Sequence, residues 1–395
     1  IALTNKYEAV VTNPPYMGGK GFSPKLKAYV EKNYKDSKSD LFAVFIERCN
    51  EFTKKNCYTS MITMQSWMFL SSYETFRKNI IEKTEIKSLL QLGYGVIGIA
   101  FGTTAFNLKK SLPAENRGNY FRMFDKIAQN IKTEDCATLF RIAKSNDSFR
   151  YKFDEYSSEN KISETIESNE QGNLIKFQAK QKDFEKIPGS PIAYWVSDKV
   201  REIFEKNQKL GEFTESGGRI KTHNDEKYLR FFWEIKSIDF NEKYFFCNKG
   251  GEFRKWYGNL EYAINWSKEA KEDYKSHGGM YNLKFENKIG ITWGNITSSL
   301  PSYRIKIKNS KYNSAAPTIF LLDENIYLNY LLAFLNTKFS IFCNKLINPT
   351  LSNPVGEILK LPIIFSNTIE FNENINNLVQ QNISISKEEW DSRET

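Results

Sequence analysis

Tyr7-Glu8-Ala9-Val10-Val11-Thr12-Asn13-Pro14-Pro15-Tyr16 is the stretch whose reading decides the fold. A short β-rich run, with Tyr7, Val10, Val11 and Thr12, leads into a diproline turn, so the segment predicts a strand that stops at Thr12. The prolines fix φ, remove two N–H donors and hold the preceding residue extended, so no regular element passes through them. Working outward, Ser39 or Asp40 can cap a helix in which Leu41, Val44, Phe45, Arg48, Cys49 and Phe52 recur at helical spacing. A strand over 58–64 follows. Ser71 with Glu74 has capping-box spacing and predicts a second helix ending near Glu82. Strands over 86–92 and 103–108 flank Gly93-Tyr94-Gly95-Val96-Ile97-Gly98 and should close as a hairpin. Strands alternating with helices up to about Lys144 predict a doubly wound α/β sheet.

Length and charge narrow the setting. At 395 residues the chain has room for two domains. No apolar run nears the roughly 18 residues that a membrane span needs. Tyr330-Leu331-Leu332-Ala333-Phe334-Leu335 is cut off by Asn336 and Lys338, which predicts a core helix. No cleavable signal pattern opens the chain. A net charge of +9 and a pI near 9.0 favour a polyanionic partner, although a genome rich in Asn, Lys and Ile codons gives the same excess. Five scattered cysteines, never in C-x-x-C spacing, point to a reduced, cytoplasmic protein. Two histidines, His223 and His277, make a zinc site or a Ser-His-Asp triad a poor expectation, and we expect no metal. No Asp…Glu-x-Lys cluster suggests a nuclease.

The turn Asn13-Pro14-Pro15-Tyr16 carries the chemistry. A tetrapeptide of this form arises by chance about once per hundred sequences of this size. An exocyclic amine is a poor nucleophile because its lone pair is delocalised into the ring. If the Asn13 side-chain oxygen and the Pro14 carbonyl accept its hydrogens, the nitrogen is drawn toward tetrahedral geometry and its lone pair is aimed at a methyl donor. Pro15 stiffens the turn, and Tyr16 offers a face for an extruded base. The carboxyl end of a parallel strand is also where open α/β sheets bind ligands. The plain alternative is a diproline turn with a packing tyrosine.

The chain resembles the PglX family of bacteriophage-exclusion (BREX) defence systems, adenine-specific DNA methyltransferases. It is also similar to the methylase parts of type II restriction-modification enzymes. The blocks that carry the resemblance are Tyr7 to Met17, Ser39-Asp40-Leu41-Phe42, Phe101-Gly102-Thr103-Thr104-Ala105-Phe106, Phe253-Arg254-Lys255-Trp256-Tyr257-Gly258, Gly290-Ile291-Thr292-Trp293, Asn348-Pro349-Thr350-Leu351 and Ser386-Lys387-Glu388-Glu389-Trp390-Asp391. The resemblance implies the C-terminal half of a Rossmann-like methyltransferase sheet over 1–147, an α+β target-recognition domain over 148–365, and the start of a helical spacer or tail over 366–395. It implies methyl transfer from S-adenosyl-L-methionine to the 6-amino group of adenine in double-stranded DNA, with restriction-modification or BREX proteins as partners. The glycine loop and acidic residue that hold the donor in such enzymes precede the Pro-Pro turn, and there is no room for them before Asn13. Ile1 is no initiator, so the chain reads as cut from something longer, inactive alone, with the Asn13 strand as an open sheet edge where a second copy could pair. The resemblance further implies that Phe101, Gly102 and Thr103 lie near the base pocket; a packing or hairpin role is the alternative.

Beyond the first domain, cations interleave with flat rings and glycines, as duplex DNA asks. The candidate contacts are Arg219, Lys221, Lys249, Arg254, Lys255, Trp256, Tyr257 and Arg304. Tryptophans are more often core than contact, and Arg254 and Lys255 could simply form a solvated face. Two other functions fit the residues: an amino-methyltransferase acting on RNA or on a protein amide, and a DNA-binding or assembly subunit without chemistry.

Overall fold

A computed structural model describes residues 4–113, 115, 117–125, 129–297, 299–323, 328–365 and 368–392; Ile1 and Ser366, where two of the readings above begin, lie outside them. The chain divides into two compact units, Ile1–Glu205 and Lys206–Thr395.

The first unit is built on β1 (Tyr7–Thr12), α1 (Pro24–Asn33), α2 (Leu41–Phe52), β2 (Thr53–Met64), α3 (Glu74–Lys83), β3 (Glu85–Leu92), β4 (Thr103–Lys109), β5 (Arg117–Arg122), α4 (Thr133–Ser145), a small pair β6 (Arg150–Tyr151) and β7 (Asn173–Leu174), β8 (Lys176–Lys180) and α5 (Asp198–Lys206). Six strands form one mixed sheet in the order β1-β2-β4-β3-β5-β8. β1 runs parallel to β2 and β3 parallel to β5, while β4 is antiparallel to both β2 and β3. The expected hairpin is therefore β3–β4.

Alternation along the strands sorts the two faces. Met61, Leu89 and Phe106 point into a core completed by Phe42, Ala43 and Ile46 of α2 and Phe76, Ile80 and Ile81 of α3. Trp67, fully buried, meets Phe106 edge-on at 5.3 Å. The other face carries Ser60, Ile62, Ser88, Leu90, Ala105 and Asn107 and is only partly covered. Asp40 caps α2 by accepting from the Phe42 N–H at 3.3 Å. Ser71 and Glu74 do not make the expected capping box: 71–73 form a 3-10 turn, and α3 starts at Glu74 without a side-chain cap.

The compact unit runs well past 147. β8 pairs antiparallel with β5 and extends the sheet. Gln181 accepts from the Ile86 N–H at 2.7 Å and donates to the carbonyls of Ile81 and Thr84. Arg77, 1% exposed, donates to the carbonyls of Trp67, Leu70, Gly189 and Ser190. A buried guanidinium without such partners would cost several kcal/mol, roughly 3–5, so this knot holds 181–190 onto α3. Polar composition over 149–182 therefore marks surface chain within the first unit.

The second unit holds two four-stranded sheets. One has the order β10-β12-β11-β15, from Leu229–Phe231, Tyr262–Asn265, Tyr244–Asn248 and Lys311–Tyr312. The other has the order β14-β13-β16-β9, from Tyr303–Lys306, Gly290–Trp293, Thr318–Leu321 and Thr214–Ser216. Between them in sequence lie α6 (Asp225–Tyr228) and α7 (Lys268–Ser276), and α8 (Leu328–Leu335), α9 (Lys338–Ile347), α10 (Val355–Ile358) and α11 (Ile369–Asp391) follow. Tyr330, Leu331, Leu332 and Leu335 of α8 are buried, as the interrupted apolar run implied. No helix among the described residues is long and apolar enough to cross a membrane.

Candidate active site

β1 delivers the turn at its carboxyl end, where Thr12 is the last paired residue. Asn13 is exposed, Pro14 buried, Pro15 exposed and Tyr16 half-buried. The Tyr16 hydroxyl lies 3.3 Å from both Asn13 Oδ1 and the Ile62 carbonyl, so one proton serves two acceptors and ties the turn to β2. Burial raises the Tyr16 pKa, which keeps it a donor. Its ring meets Phe42 and Phe101 edge-on, each at 6.3 Å. The next residue is held as firmly: the Met17 N–H donates to Asp40 Oδ1 at 3.1 Å, and the Met17 carbonyl accepts from the Leu41 N–H at 2.9 Å. Burial raises the Asp40 pKa, and the backbone N–H groups at the start of α2 oppose that rise.

Phe101 thus sits beside Tyr16, brought there by the β3–β4 connection. Gly102 accepts from the Gln65 N–H at 3.1 Å, and a Cβ there would lie 2.1 Å from Gln65 Nε2. Gln65 is itself held: its Oε1 accepts from Gln91 at 2.7 Å, and Gln91 accepts from the buried Tyr194 hydroxyl at 2.9 Å. Sequence reasoning missed this relay, whose members come from three separate segments. Thr103 opens β4 and is buried, with no hydrogen-bond partner for its hydroxyl among the described residues. It lies in the core.

Beside Asn13, a cavity of about 460 Å³ opens on the partly covered sheet face, lined by Val11, Thr12, Asn13, Ile62, Leu90 and Phe140 among others. A polar ladder crosses its floor: Ser60 donates to Asn107 Oδ1 at 2.5 Å, and Asn107 donates to Ser88 at 2.8 Å. None of the lining residues is acidic. The glycine loop after β3 is mostly packed on its own chain: a Cβ on Gly93 would meet the Gln129 carbonyl at 2.4 Å and one on Gly95 the Asn130 side chain at 2.7 Å, while Gly98 stands open. The residues present therefore do not fit an adenosyl methyl donor. No group of His, Cys, Asp and Glu among the described residues could hold a metal ion.

Several of the expected DNA contacts are used inside the second unit. Arg304, on β14, is 1% exposed and donates to the Gly250 carbonyl at 2.6 Å, which removes it from any surface. Burial draws its pKa down to about 10. Tyr257 is buried with Leu260 and Trp390. Arg254 pairs with Glu389 and lies over the Trp390 ring at 4.9 Å. Lys255 donates to the Asn336 carbonyl at 3.1 Å, and Lys249 pairs with Asp225 at 2.9 Å. The Trp256 backbone bridges to β14, with φ at +70°. Arg219 is exposed and Lys221 half-exposed. Trp266 and Trp293 are core, while Trp233 is 61% exposed.

Residues 2–96 match the family described as Eco57I restriction-modification methylase. The adenine-specific methyltransferase PglX of Lacticaseibacillus casei (strain Zhang) is 32% identical, aligned with all of this chain and 32% of its own length. The adenine-specific methyltransferase BrxX of Escherichia coli O9:H4 (strain HS) is also 32% identical, over all of this chain and 30% of its own. Both alignments run the whole length of the chain. It spans about a third of the length of these relatives. Among solved structures, the type IIL restriction-modification enzyme MmeI in complex with DNA is similar at a TM-score of 0.50 and 11% identity, covering 92% of this chain and 46% of its own. A DrdV–DNA complex gives a TM-score of 0.50 at 9% identity, covering 97% and 45%. These likenesses concern the fold, and they agree with the mixed α/β architecture of this chain.

Proposed function

We propose that this chain supplies the base-holding turn and part of the DNA-reading surface of an adenine-specific DNA methyltransferase of a BREX or restriction-modification system. The observation that carries the reading is the clamped turn: Asn13 exposed at the carboxyl end of a parallel strand, with Tyr16 and Phe101 beside it. Asn13 Oδ1 and the Pro14 carbonyl accept the two hydrogens of the target 6-amino group. The ties from Tyr16 to β2 and from Met17 to Asp40 keep those oxygens fixed, so little reorganisation is needed as charge develops on the nitrogen. Tyr16 and Phe101 provide aromatic surface for the extruded adenine, and Gly102 keeps the backbone close to Gln65.

S-adenosyl-L-methionine supplies the methyl group in this reading, held by residues other than these, so the chain by itself binds DNA without methylating it. Arg219 and Lys221 remain available for phosphate contacts; Lys249, Arg254, Lys255 and Trp256 act by shaping the unit. Among the described residues β1 pairs on one side only, with β2, and its other edge could take a further strand, from a second copy or from the longer protein. The target-recognition role belongs to the unit that starts at 206, and the setting is cytoplasmic.

The test uses the full-length protein with its cognate DNA. Asn13→Ala is expected to abolish methylation while DNA affinity stays within twofold of the parent. Methylation at the parental rate removes the role given to Asn13, and methylation of RNA or of a protein amide in place of DNA removes the substrate assignment.

A further inference from the structure

A guanidinium stands on the same rim of the sheet as Asn13. Arg122 is the last residue of β5 and pairs with Gln91, one residue before the end of β3. β1, β2, β3 and β5 all run the same way, so Thr12 and Arg122 close parallel strands at one side of the first unit. Four strand steps separate β1 from β5, about 19 Å at the usual spacing between strands.

The group is held in place but poorly satisfied. Arg122 Cζ lies over the Phe124 ring and over the Trp195 ring, each at 4.8 Å. Trp195 is braced by Phe69 at 6.0 Å and by Tyr194 at 5.0 Å, and Tyr194 is fixed by its bond to Gln91. Among the described residues the guanidinium makes one hydrogen bond, from Nη2 to the Asp125 carbonyl at 3.3 Å, and its Nε is buried without an acceptor. The Asp125 carboxylate turns away to accept from Asn173 at 2.7 Å. Rings engage a guanidinium by its face and leave the fork of N–H donors along its edge, a shape that matches the paired oxygens of a phosphate. A buried charged donor without an acceptor is costly, and an incoming anionic oxygen removes that cost. Each strand of a duplex carries a phosphate every ~3.4 Å of its axis, so several lie within reach of the rim when the target base is at Asn13. Resting on that reading of Asn13, we propose that Arg122 grips a backbone phosphate of the bound DNA and fixes the duplex against the rim while Asn13 holds the adenine.

Binding of the full-length protein to its cognate duplex, followed across salt concentrations, decides the matter. Arg122→Gln is expected to weaken DNA binding about tenfold and to lower the slope of log affinity against log salt by about 1. KM for DNA should rise in step while kcat stays near the parent's. Arg122→Lys keeps the charge and should restore the slope, with part of the affinity lost because the fork is gone. Replacing backbone phosphates one at a time by neutral methylphosphonates should reveal one position that costs the parent more than Arg122→Lys and costs Arg122→Gln nothing. Parental affinity and slope in Arg122→Gln overturn the proposal, and so does the absence of any such phosphate. A lowered unfolding midpoint with parental DNA binding also overturns it, and would give the guanidinium to a carboxylate of the longer protein. Methylation of DNA by the parent is measured alongside; if the parent does not methylate, the reading of Asn13 falls, whereas a methylating parent matched in binding by Arg122→Gln sinks the role of Arg122 alone.

Discussion

At the scale of single residues, the turn and its neighbours could be read because their chemistry is local. Two prolines after a β-rich run end a strand in almost any context, and the Asn13 oxygen follows from the turn itself. Gly102 could be located but not explained, since the reason no side chain fits there is Gln65, more than thirty residues earlier in the chain. Gly102→Ala would drive a Cβ into an amide that Gln91 and Tyr194 hold in place, and would shift Phe101 away from Tyr16. We expect kcat/KM for DNA methylation by the full-length protein to fall at least tenfold, about 1.4 kcal/mol of transition-state stabilisation, with DNA affinity nearly unchanged. Parental kinetics would disprove the clamp. Arg304 illustrates the opposite case. Its sequence setting, Tyr-Arg-Ile-Lys, reads as a basic strand with either face outward, and only pairing with β13 decides that the guanidinium turns inward to Gly250.

At the scale of elements, α2 matches its periodicity to the residue because Asp40 both caps the helix and accepts from Met17. The Ser71–Glu74 pair failed as a cap because 71–73 turn tightly before the helix begins. Two blocks of the family resemblance, Phe253 to Gly258 and Ser386 to Asp391, lie far apart in sequence yet interlock. Arg254 meets Glu389 and Trp390, and Lys387 lies over the Tyr257 ring at 5.9 Å. Arg254, Lys255, Trp256 and Tyr257 read as a nucleic-acid surface because composition does not distinguish a packed latch from an exposed patch. Gly258 stands at the junction with φ at +114°, and a Cβ there would lie 2.8 Å from Trp390 Cε3 and 2.4 Å from Arg254 Cδ. Gly258→Ala is expected to destabilise the second unit by about 1–3 kcal/mol, visible as a lower unfolding midpoint. Arg219→Ala and Lys221→Ala should leave that midpoint in place. Each should instead weaken DNA binding and reduce the slope of log affinity against log salt by about 1. The reverse pattern would return the latch residues to the DNA surface.

At the scale of the whole molecule, the two units carry titrating groups, one half-buried and one buried, that tie their stability to pH with opposite signs. In the first, burial lifts the Glu47 carboxyl from its ordinary 4.5 to about 6, with Asp36 and Glu51 adding to the rise and Ser37 opposing it. Between those values the folded unit holds more protons than the unfolded chain, so its stability falls as pH climbs through them. In the second, Lys306 is fully buried, donating to the carbonyls of Glu286, Lys288 and Lys308, with Phe320 near its ammonium. Desolvation, with the neighbouring Lys311 charge adding, pulls its pKa from 10.5 to about 7, while Glu286 resists. From pH 7 to 10.5 the unfolded chain then binds more protons than the folded unit, so stability rises with pH across that window. Lys306→Met keeps most of the aliphatic stem and removes the titrating group. The variant should lose the alkaline gain, with an unfolding midpoint flatter from pH 7 to 10 than the parent's, while Glu47→Gln flattens only the acidic side. A Lys306→Met curve that still climbs like the parent's would mean that the three carbonyls keep the ammonium charged throughout, and that the slope arises elsewhere.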